Sequence, residues 1–320
     1  MRANEMTFGV ELETFIPPNS GIRVGGYHSG HEINVRDPRL TALNGWRAEY
    51  DSSIAAASNH EPCEFISPVL CGHDGMRKLV AAVTAIKDVV KAKVNSSCGV
   101  HVHVGFPRDP EALKRLTHAV ATFEQALFAS TGTPRRENGR FCRGIQNEFS
   151  PDIRFTPNRY RDSYRSGRLS CNVAGVNDRY HILNLTRMVG TSSQQTVEFR
   201  VFSGTVRPEK ILAWVRLCLA ICERAINGKR ALKWESNEKA VIQKSKTKVC
   251  GKGFGQVKLM MYKLGWVRGR SFETVDGRRV HKTWGASLDG VEGLPSLKDS
   301  KRVIKALARK YDEKLVSGRF

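Results

Sequence analysis

The 320-residue chain is 40% hydrophobic and 26% charged, which excludes wholesale disorder and a fibrous class and is enough to bury a sizeable core. Its 52 Lys and Arg against 31 Asp and Glu give a formal charge of +21, beyond what solubility needs, so a polyanionic partner has to be considered. Met1–Glu5 is polar where a signal peptide needs an apolar core, and no stretch approaches the length of a membrane span, so a cytoplasmic protein without a membrane partner is expected.

Strand and helix signals alternate without a repeat, and the fold class expected is α+β. Apolar and polar residues alternate over Thr7 to Phe15, Cys63 to Ile66, Gly99 to Gly105, His181 to Leu185 and Thr196 to Phe202, which predicts strands. Apolar residues three and four apart predict helices over Gly75 to Lys93, Pro110 to Thr131 and Arg207 to Asn227. Gly132 to Gly175, rich in Arg, Gly and Pro and poor in periodicity, reads as a long loop region.

Past Gly228 the pattern changes, and a boundary is placed there: residues 1–228 as a catalytic domain, 229–320 as a basic C-terminal region. That region holds 23 basic and 9 acidic residues, a charge of +14, against +7 for the rest. Gly251-Lys252-Gly253-Phe254-Gly255 reads as a glycine-rich loop, Phe272 to Trp284 as a hairpin around Asp276-Gly277, and Leu297 to Leu315 as a basic amphipathic helix. The eight cysteines form no Cys-x-x-Cys pair and read as reduced thiols; Cys218 and Cys222, flanked by Leu217, Leu219 and Ile221, read as core packing.

The chemistry concentrates in three strands. In Gly9-Val10-Glu11-Leu12-Glu13 the period of two sends both glutamates to one face, and the same rule pairs His101 with His103 and Glu198 with Arg200. Any one pair is what a half-wet antiparallel sheet shows, but solvent faces are usually mixtures of Lys, Thr and Ser. If the strands share a sheet, their carboxylates repel one another unless a cation is present, and hard oxygen donors favour Mg²⁺ over zinc. Glu64, interrupting a short apolar strand, is a candidate to join them, and Asp51 in Asp51-Ser52-Ser53 stays open between a further ligand and a solvated turn.

Six ordered blocks then carry a resemblance: Gly9 to Glu13, Asp51 to Ser53, Glu64 to Pro68, Cys98 to Val104, Arg179 to Leu185 and Thr196 to Thr205. In this order they resemble the amidoligase family, which is similar to glutamate-cysteine ligase and, more distantly, glutamine synthetase. The resemblance covers roughly residues 7 to 225 and implies a mainly antiparallel sheet of that type with helices on one face, the basic C-terminal region being an extension. It implies an ADP-forming carboxylate-amine ligase using ATP and Mg²⁺ and passing through an acyl phosphate. It implies Glu11, Glu13, Glu64, His101 and Glu198 around the metals, with Asp51 as a further candidate, and Arg200 near the transferring phosphate.

Within that reading His101, Glu198 and Arg200 are the catalytic candidates, and His103, Arg143, Tyr180 and Asn184 are candidates for contacting nucleotide or substrate. His103 stands where the related ligases carry asparagine. Arg143 is favoured among the loop arginines Arg140, Arg143, Arg154, Arg159, Arg161, Arg165 and Arg168 because the family tends to carry an arginine near an aromatic-cysteine pair. Tyr180 and Asn184 share a strand face and are equally open to a structural pairing. The expected substrates are a carboxylate and an amine on a small molecule, a peptide or a polymer.

The rival is a metal-dependent, nuclease-like protein binding nucleic acid through its basic tail, since two-metal nucleases also gather carboxylates. In it Lys244, Lys246, Lys248, Lys252, Lys258, Lys263, Arg268 and Arg270 dock a polyanion and Phe254, Tyr262 and Trp266 stack on bases; a solvated basic surface and core packing of the same aromatics stay open beside it. The Glu-x-Arg and His-x-His strands together are explained by the ligase and not by the nuclease. No Gly-x-x-x-x-Gly-Lys-Ser/Thr loop is present, which argues against a Walker-type ATPase.

Overall fold

The structure is a computed structural model of the chain, and it describes residues 1–27, 29–145, 179–188, 195–232, 252–267, 272–275 and 278–318. Arg154, Arg159, Arg161, Arg165, Arg168, Lys244, Lys246, Lys248, Arg268, Arg270 and the Asp276-Gly277 pair lie outside the described residues.

An eight-stranded antiparallel sheet forms the centre. Its strands are β1 (Thr7–Ile16), β2 (His31–Glu32), β3 (Arg47–Glu49), β4 (Glu61–Ile66), β5 (Leu70–Cys71), β6 (Gly99–Gly105), β7 (Leu183–Asn184) and β8 (Thr196–Ser203). They lie in the order β2-β3-β4-β1-β6-β8-β7, with β5 pairing the start of β1. The expected α+β class with a mainly antiparallel sheet is what the molecule shows. Phe8, Val10 and Leu12 of β1, Val100, Val102 and Val104 of β6, and Val197, Phe199 and Val201 of β8 are buried, while the residues between them carry the polar groups.

The apolar face is covered by helices. α1 (Gly72–Asp88) buries Leu79, Val83 and Ile86, positions four and three apart on one stripe. α2 (Pro110–Ala129) begins where Asp109 accepts a hydrogen bond from the Glu111 N–H (3.0 Å) and Pro110 takes the first turn, a position that needs no donor. α3 (Pro208–Asn227) is buried almost all round, and the Trp214 ring stacks on Phe202 of β8 at 4.8 Å while its Nε1 donates to the Ser130 carbonyl (3.0 Å).

Packing continues through the boundary placed near Gly228. α4 (Lys252–Lys263) lies on α2, and α5 (Leu297–Ser317) lies on α3 and α4; Val257, Met260, Ile304 and Tyr311 belong to the same hydrophobic core as the sheet. The wholly buried Arg216 of α3 donates to the Pro295 carbonyl (2.6 Å) and Ser300 Oγ (2.9 Å), tying α5 to the centre. α5 starts on a capping box, Ser296 with Asp299, and Gly318 follows it at φ 63, the left-handed conformation that glycine adopts without steric cost.

Of the glycine-rich segment expected as a loop, Gly251 lies outside the described residues and Lys252 to Gly255 are instead the first turn of α4: the Asp312 carboxylate of α5 accepts from the Gly253 and Phe254 N–H groups (2.8 and 2.9 Å). The hairpin is present as β9 (Phe272–Val275) paired antiparallel with β10 (Arg278–His281). Phe254 and Trp266 are 6% and 3% exposed, so of the two readings open for them, stacking on bases and core packing, the structure shows the second. Among the described residues no helix is long and apolar enough to cross a membrane.

Candidate active site

The sheet's register assembles the polar residues. Glu13 of β1 lies opposite Glu64 of β4, which lies opposite Glu49 of β3; Glu11 lies opposite His101 of β6, and His103 opposite Glu198 of β8. The register shifts between Val100 and Val102, two steps of β6 facing three of β8 from Phe202 to Phe199, so the extra residue lies on β8 around Arg200 and Val201. Of these polar residues, Glu11, Glu13, Glu49, Glu64, His101 and Glu198 line a cleft of about 490 Å³, and His103 lies behind them against Glu11.

His101 is the hub. Its Nδ1 lies 3.1 Å from Glu11 Oε2 and 3.6 Å from Glu198 Oε1, its Nε2 3.4 Å from Glu13 Oε1, and the ring is 3% exposed. His103 Nε2 approaches Glu11 Oε1 to 3.0 Å without hydrogen-bond geometry, so this buried nitrogen has no hydrogen-bond partner. Arg200 Nη1 donates to Glu198 Oε1 at 2.5 Å, and Asn184 Nδ2 donates to Glu198 Oε2 at 2.6 Å. Both Glu198 oxygens are thus fixed, one by Arg200 of its own strand and one by Asn184 of β7, so Asn184, one of the substrate candidates, holds a catalytic candidate in place.

The electrostatics divide the carboxylates. Burial alone would raise Glu11, but the His103 and His101 imidazoles hold it well below the ordinary carboxylate range. Glu198 is likewise lowered, burial being outweighed by His103 and Arg200, and those carboxylates raise His103 in return. Glu64 goes the other way: burial, then the charges of Glu11, Glu13 and Asp51, push it well above the usual range.

Three sets of donors have their ligand atoms within 4.8 Å of one another: Glu11 with His103 and Glu198, Glu11 with Glu64 and His101, and Glu13 with Asp51 and Glu64. Asp51 spends one oxygen on the Ser53 N–H (2.7 Å), the turn foreseen for it, and still belongs to the third set. Glu11, Glu13, Glu64, His101, Glu198 and Asp51 are therefore all brought together.

Tyr180 lines the cleft, with Arg179 over its ring at 5.3 Å. Arg143 does not line it; the side chain is exposed, and its backbone bridges Tyr180 and Ile182. Among the described residues of that loop region, the arginine that lines the cleft is Arg136, in a 3-10 turn (Pro134–Asn138). Glu49, Arg47 and Arg187 also line it and were not singled out from sequence. Glu49 sits on the three-residue β3, too short for a period to mark it, and Arg136 had no signal that separated it from its basic neighbours.

A family described as "Putative amidoligase enzyme" matches residues 4–222. Among solved structures, the complex of the prokaryotic ubiquitin-like protein Pup with its ligase PafA aligns at 14% identity and TM-score 0.35, over 100% of this chain and 66% of that one. Apo GmaS aligns at 12% identity and TM-score 0.37 over 98% of this chain and 69% of that one. GmaS with ADP aligns at 13% identity and TM-score 0.38 over 98% and 70%. No curated protein matches.

Proposed function

The chain belongs to the amidoligase family, and from that premise we propose that it is an ADP-forming carboxylate-amine ligase that uses ATP and Mg²⁺ and activates its carboxylate as an acyl phosphate. The observation that carries the reading is the convergence of Glu11, Glu13, Glu64, His101, Glu198 and Arg200 from four neighbouring strands onto one face of the sheet. The fit to divalent cations rests on the donors themselves. Hard oxygens dominate the three sets, Glu64 is driven towards protonation by its neighbours, and His103 Nε2 is buried without a hydrogen-bond partner. A cation within reach of these groups would offset both the charge crowding at Glu64 and the unpartnered His103 nitrogen.

Glu11, Glu13, Asp51, Glu64, His101, His103 and Glu198 are the residues that would hold the metals. Bound Mg²⁺ would neutralise charge on the phosphoryl oxygens and align the phosphoryl group with the carboxylate it is transferred to. The chain's own contribution is preorganisation. Asn184 and Arg200 lock Glu198, the Gly99 N–H donates to Glu13 Oε2 (2.5 Å), and His101 spans Glu11, Glu13 and Glu198, so the donors do not have to reorganise as charge develops. Arg179, Tyr180 and Arg187 line the rest of the cleft, where the carboxylate and amine are to be held.

The test is hydroxylamine trapping. With ATP, Mg²⁺ and a panel of carboxylic acids, the accepted acid is expected to give its hydroxamate with stoichiometric ADP, because an acyl phosphate reacts with any strong nucleophile that reaches it. Turnover that yields AMP, or amide formation without a trappable hydroxamate, overturns the acyl-phosphate route.

A further inference from the structure

The guanidinium of Arg200 is already matched to Glu198 at 2.5 Å. Arg136 differs. It lines the same cleft, and its Nη2 and Nε donate only to the backbone carbonyls of Arg200 (2.8 Å) and Val201 (3.3 Å). Among the described residues it has no carboxylate partner, so its charge is uncompensated at the point where the acidic row ends. A guanidinium fixed by neutral carbonyls and open to a cleft keeps its attraction for an incoming anion, whereas one paired with a carboxylate has already spent it.

The turn that carries Arg136 is short. A 3-10 helix of five residues has little stability of its own, so its position is set by what grips its ends and sides. On the cleft side the grip is the pair of β8 carbonyls. On the far side it is the next residue: the Glu137 carboxylate accepts hydrogen bonds from the Tyr311 hydroxyl of α5 and from Gln125 Nε2 of α2, and Gln125 also donates to the Tyr311 oxygen at 2.8 Å. The Tyr311 ring is 1% exposed and packs in the core, a task phenylalanine would perform equally. Its hydroxyl is accounted for by Glu137.

We infer that Arg136 is the residue that grips the anionic substrate's phosphate, and that Tyr311, on a C-terminal helix outside the family match, is a positioning residue that fixes Arg136 through Glu137. The inference rests on the ligase proposal, because the phosphate in question is the nucleotide's. It gives the C-terminal region a role at the cleft that its net charge alone does not suggest. A side chain 175 positions along the chain from Arg136 sets where that arginine stands.

The experiment is calorimetric titration of MgADP into the full-length protein, with the melting temperature of each variant recorded. Arg136→Met is expected to weaken binding at least about tenfold, the loss of a charge-assisted hydrogen bond. Tyr311→Phe and Glu137→Gln are each expected to weaken it about three- to tenfold. Tyr311→Phe is expected to add nothing in an Arg136→Met background, because it acts through that arginine. Asp312→Asn removes the cap of α4 from the neighbouring position on α5, and is expected to lower the melting temperature while leaving affinity unchanged. The inference fails if Tyr311→Phe binds within twofold of wild type, if its effect persists in the Arg136→Met background, or if Asp312→Asn weakens binding as much. Should Tyr311→Phe not fold, Glu137→Gln carries the same comparisons, since that side chain is only half-buried and outside the hydrophobic core. Absence of MgADP binding by wild type overturns the ligase proposal and this inference with it, whereas unchanged affinity in the variants overturns the inference alone.

Discussion

Replacing Glu64 by glutamine is expected to stabilise the metal-free protein while abolishing its response to Mg²⁺. Glu64 lies directly opposite Glu13 on one side and Glu49 on the other, and among the described residues its side chain makes no hydrogen bond. Its oxygen lies within 4.8 Å of oxygens of Glu13 and Asp51. At that distance two unit charges repel by about 3.5 kcal/mol at an effective dielectric near 20 and by about 0.9 kcal/mol in bulk water. The half-buried position falls between these limits, and protonation limits the total, so a net gain of about 1–3 kcal/mol is expected for the neutral isostere. For a chain of this size that corresponds to roughly 1.5–4.5 °C in melting temperature. Differential scanning calorimetry in EDTA, then with MgCl₂ at about 100 times its Kd, separates the two effects; wild type should gain about 2.7 kcal/mol from the metal and the variant little. A variant that melts lower than wild type in EDTA, or that gains as much from Mg²⁺, would refute the assignment of Glu64 to an uncompensated metal set.

Glu198→Gln should act with the opposite sign on stability, losing about 2–3 kcal/mol because Arg200 is left without its carboxylate, and ADP release should fall at least about 100-fold; near-normal turnover would remove Glu198 from the metal shell. Arg200→Lys keeps the charge but not the planar fork, so turnover should drop sharply with the melting point nearly kept, and full activity would leave Arg200 only a structural partner of Glu198. A methyl group at Gly99 would stand 3.0 Å from Arg136 Nη2, 3.2 Å from Glu13 Oε2 and 3.3 Å from His101 Nε2, so Gly99→Ala should blunt the Mg²⁺-induced rise in melting temperature, which an unaltered shift would contradict. Stability of the metal-free protein should peak between two limbs. Glu64, raised, contributes stability that is complete below the ordinary carboxylate pKa and lost as pH rises through its folded value; Glu11 and Glu198, lowered, contribute stability lost as pH falls through theirs. Mg²⁺ should extend the upper limb, and a melting profile in which only the acid limb moves would count against that division.

The elements that position the chemistry were legible because they are long enough for their period to show. Ten residues in β1, seven in β6 and eight in β8 carry the alternation that sends Glu11 and Glu13, His101 and His103, or Glu198 and Arg200 to one face. Strands of two or three residues such as β2, β3 and β5 carry no period, which hid Glu49. α4 was misread because Gly253 and Gly255 argue against a helix locally; the carboxylate of Asp312, far along the chain, caps it, and the burial of Val257, Met260 and Met261 supports it. The boundary near Gly228 followed a change in charge, which is a surface property, whereas Ile304 and Tyr311 place the region inside the common core. Arg136 was one basic residue among many in a segment without periodicity. Only the fold shows which of them faces the acidic row.

The carboxylates of the cleft differ in what balances them, and that difference bears on how a metal-nucleotide would be received. Glu11 and Glu198 have His101, His103 and Arg200 as neighbours. Among the described residues Glu13 has the Gly99 N–H and His101 Nε2 (3.4 Å), Asp51 has the Ser53 N–H, and the Glu64 side chain has no hydrogen bond, so this set is the less balanced of the two. The unbalanced positive charge is nearby: Arg136 Nη2 and Glu13 Oε2 lie 3.0 and 3.2 Å from the same point above Gly99, where a side chain would have separated them. A divalent ion alone answers one half of this pattern and a free phosphate the other, and each leaves a charge unmatched in a partly desolvated site. A cation carrying its own phosphate answers both at once. By linkage, metal and nucleotide then favour each other's binding to the same degree. The glycine at position 99 and the locked turn at Arg136 are what keep the two halves of the pattern close enough for that coupling.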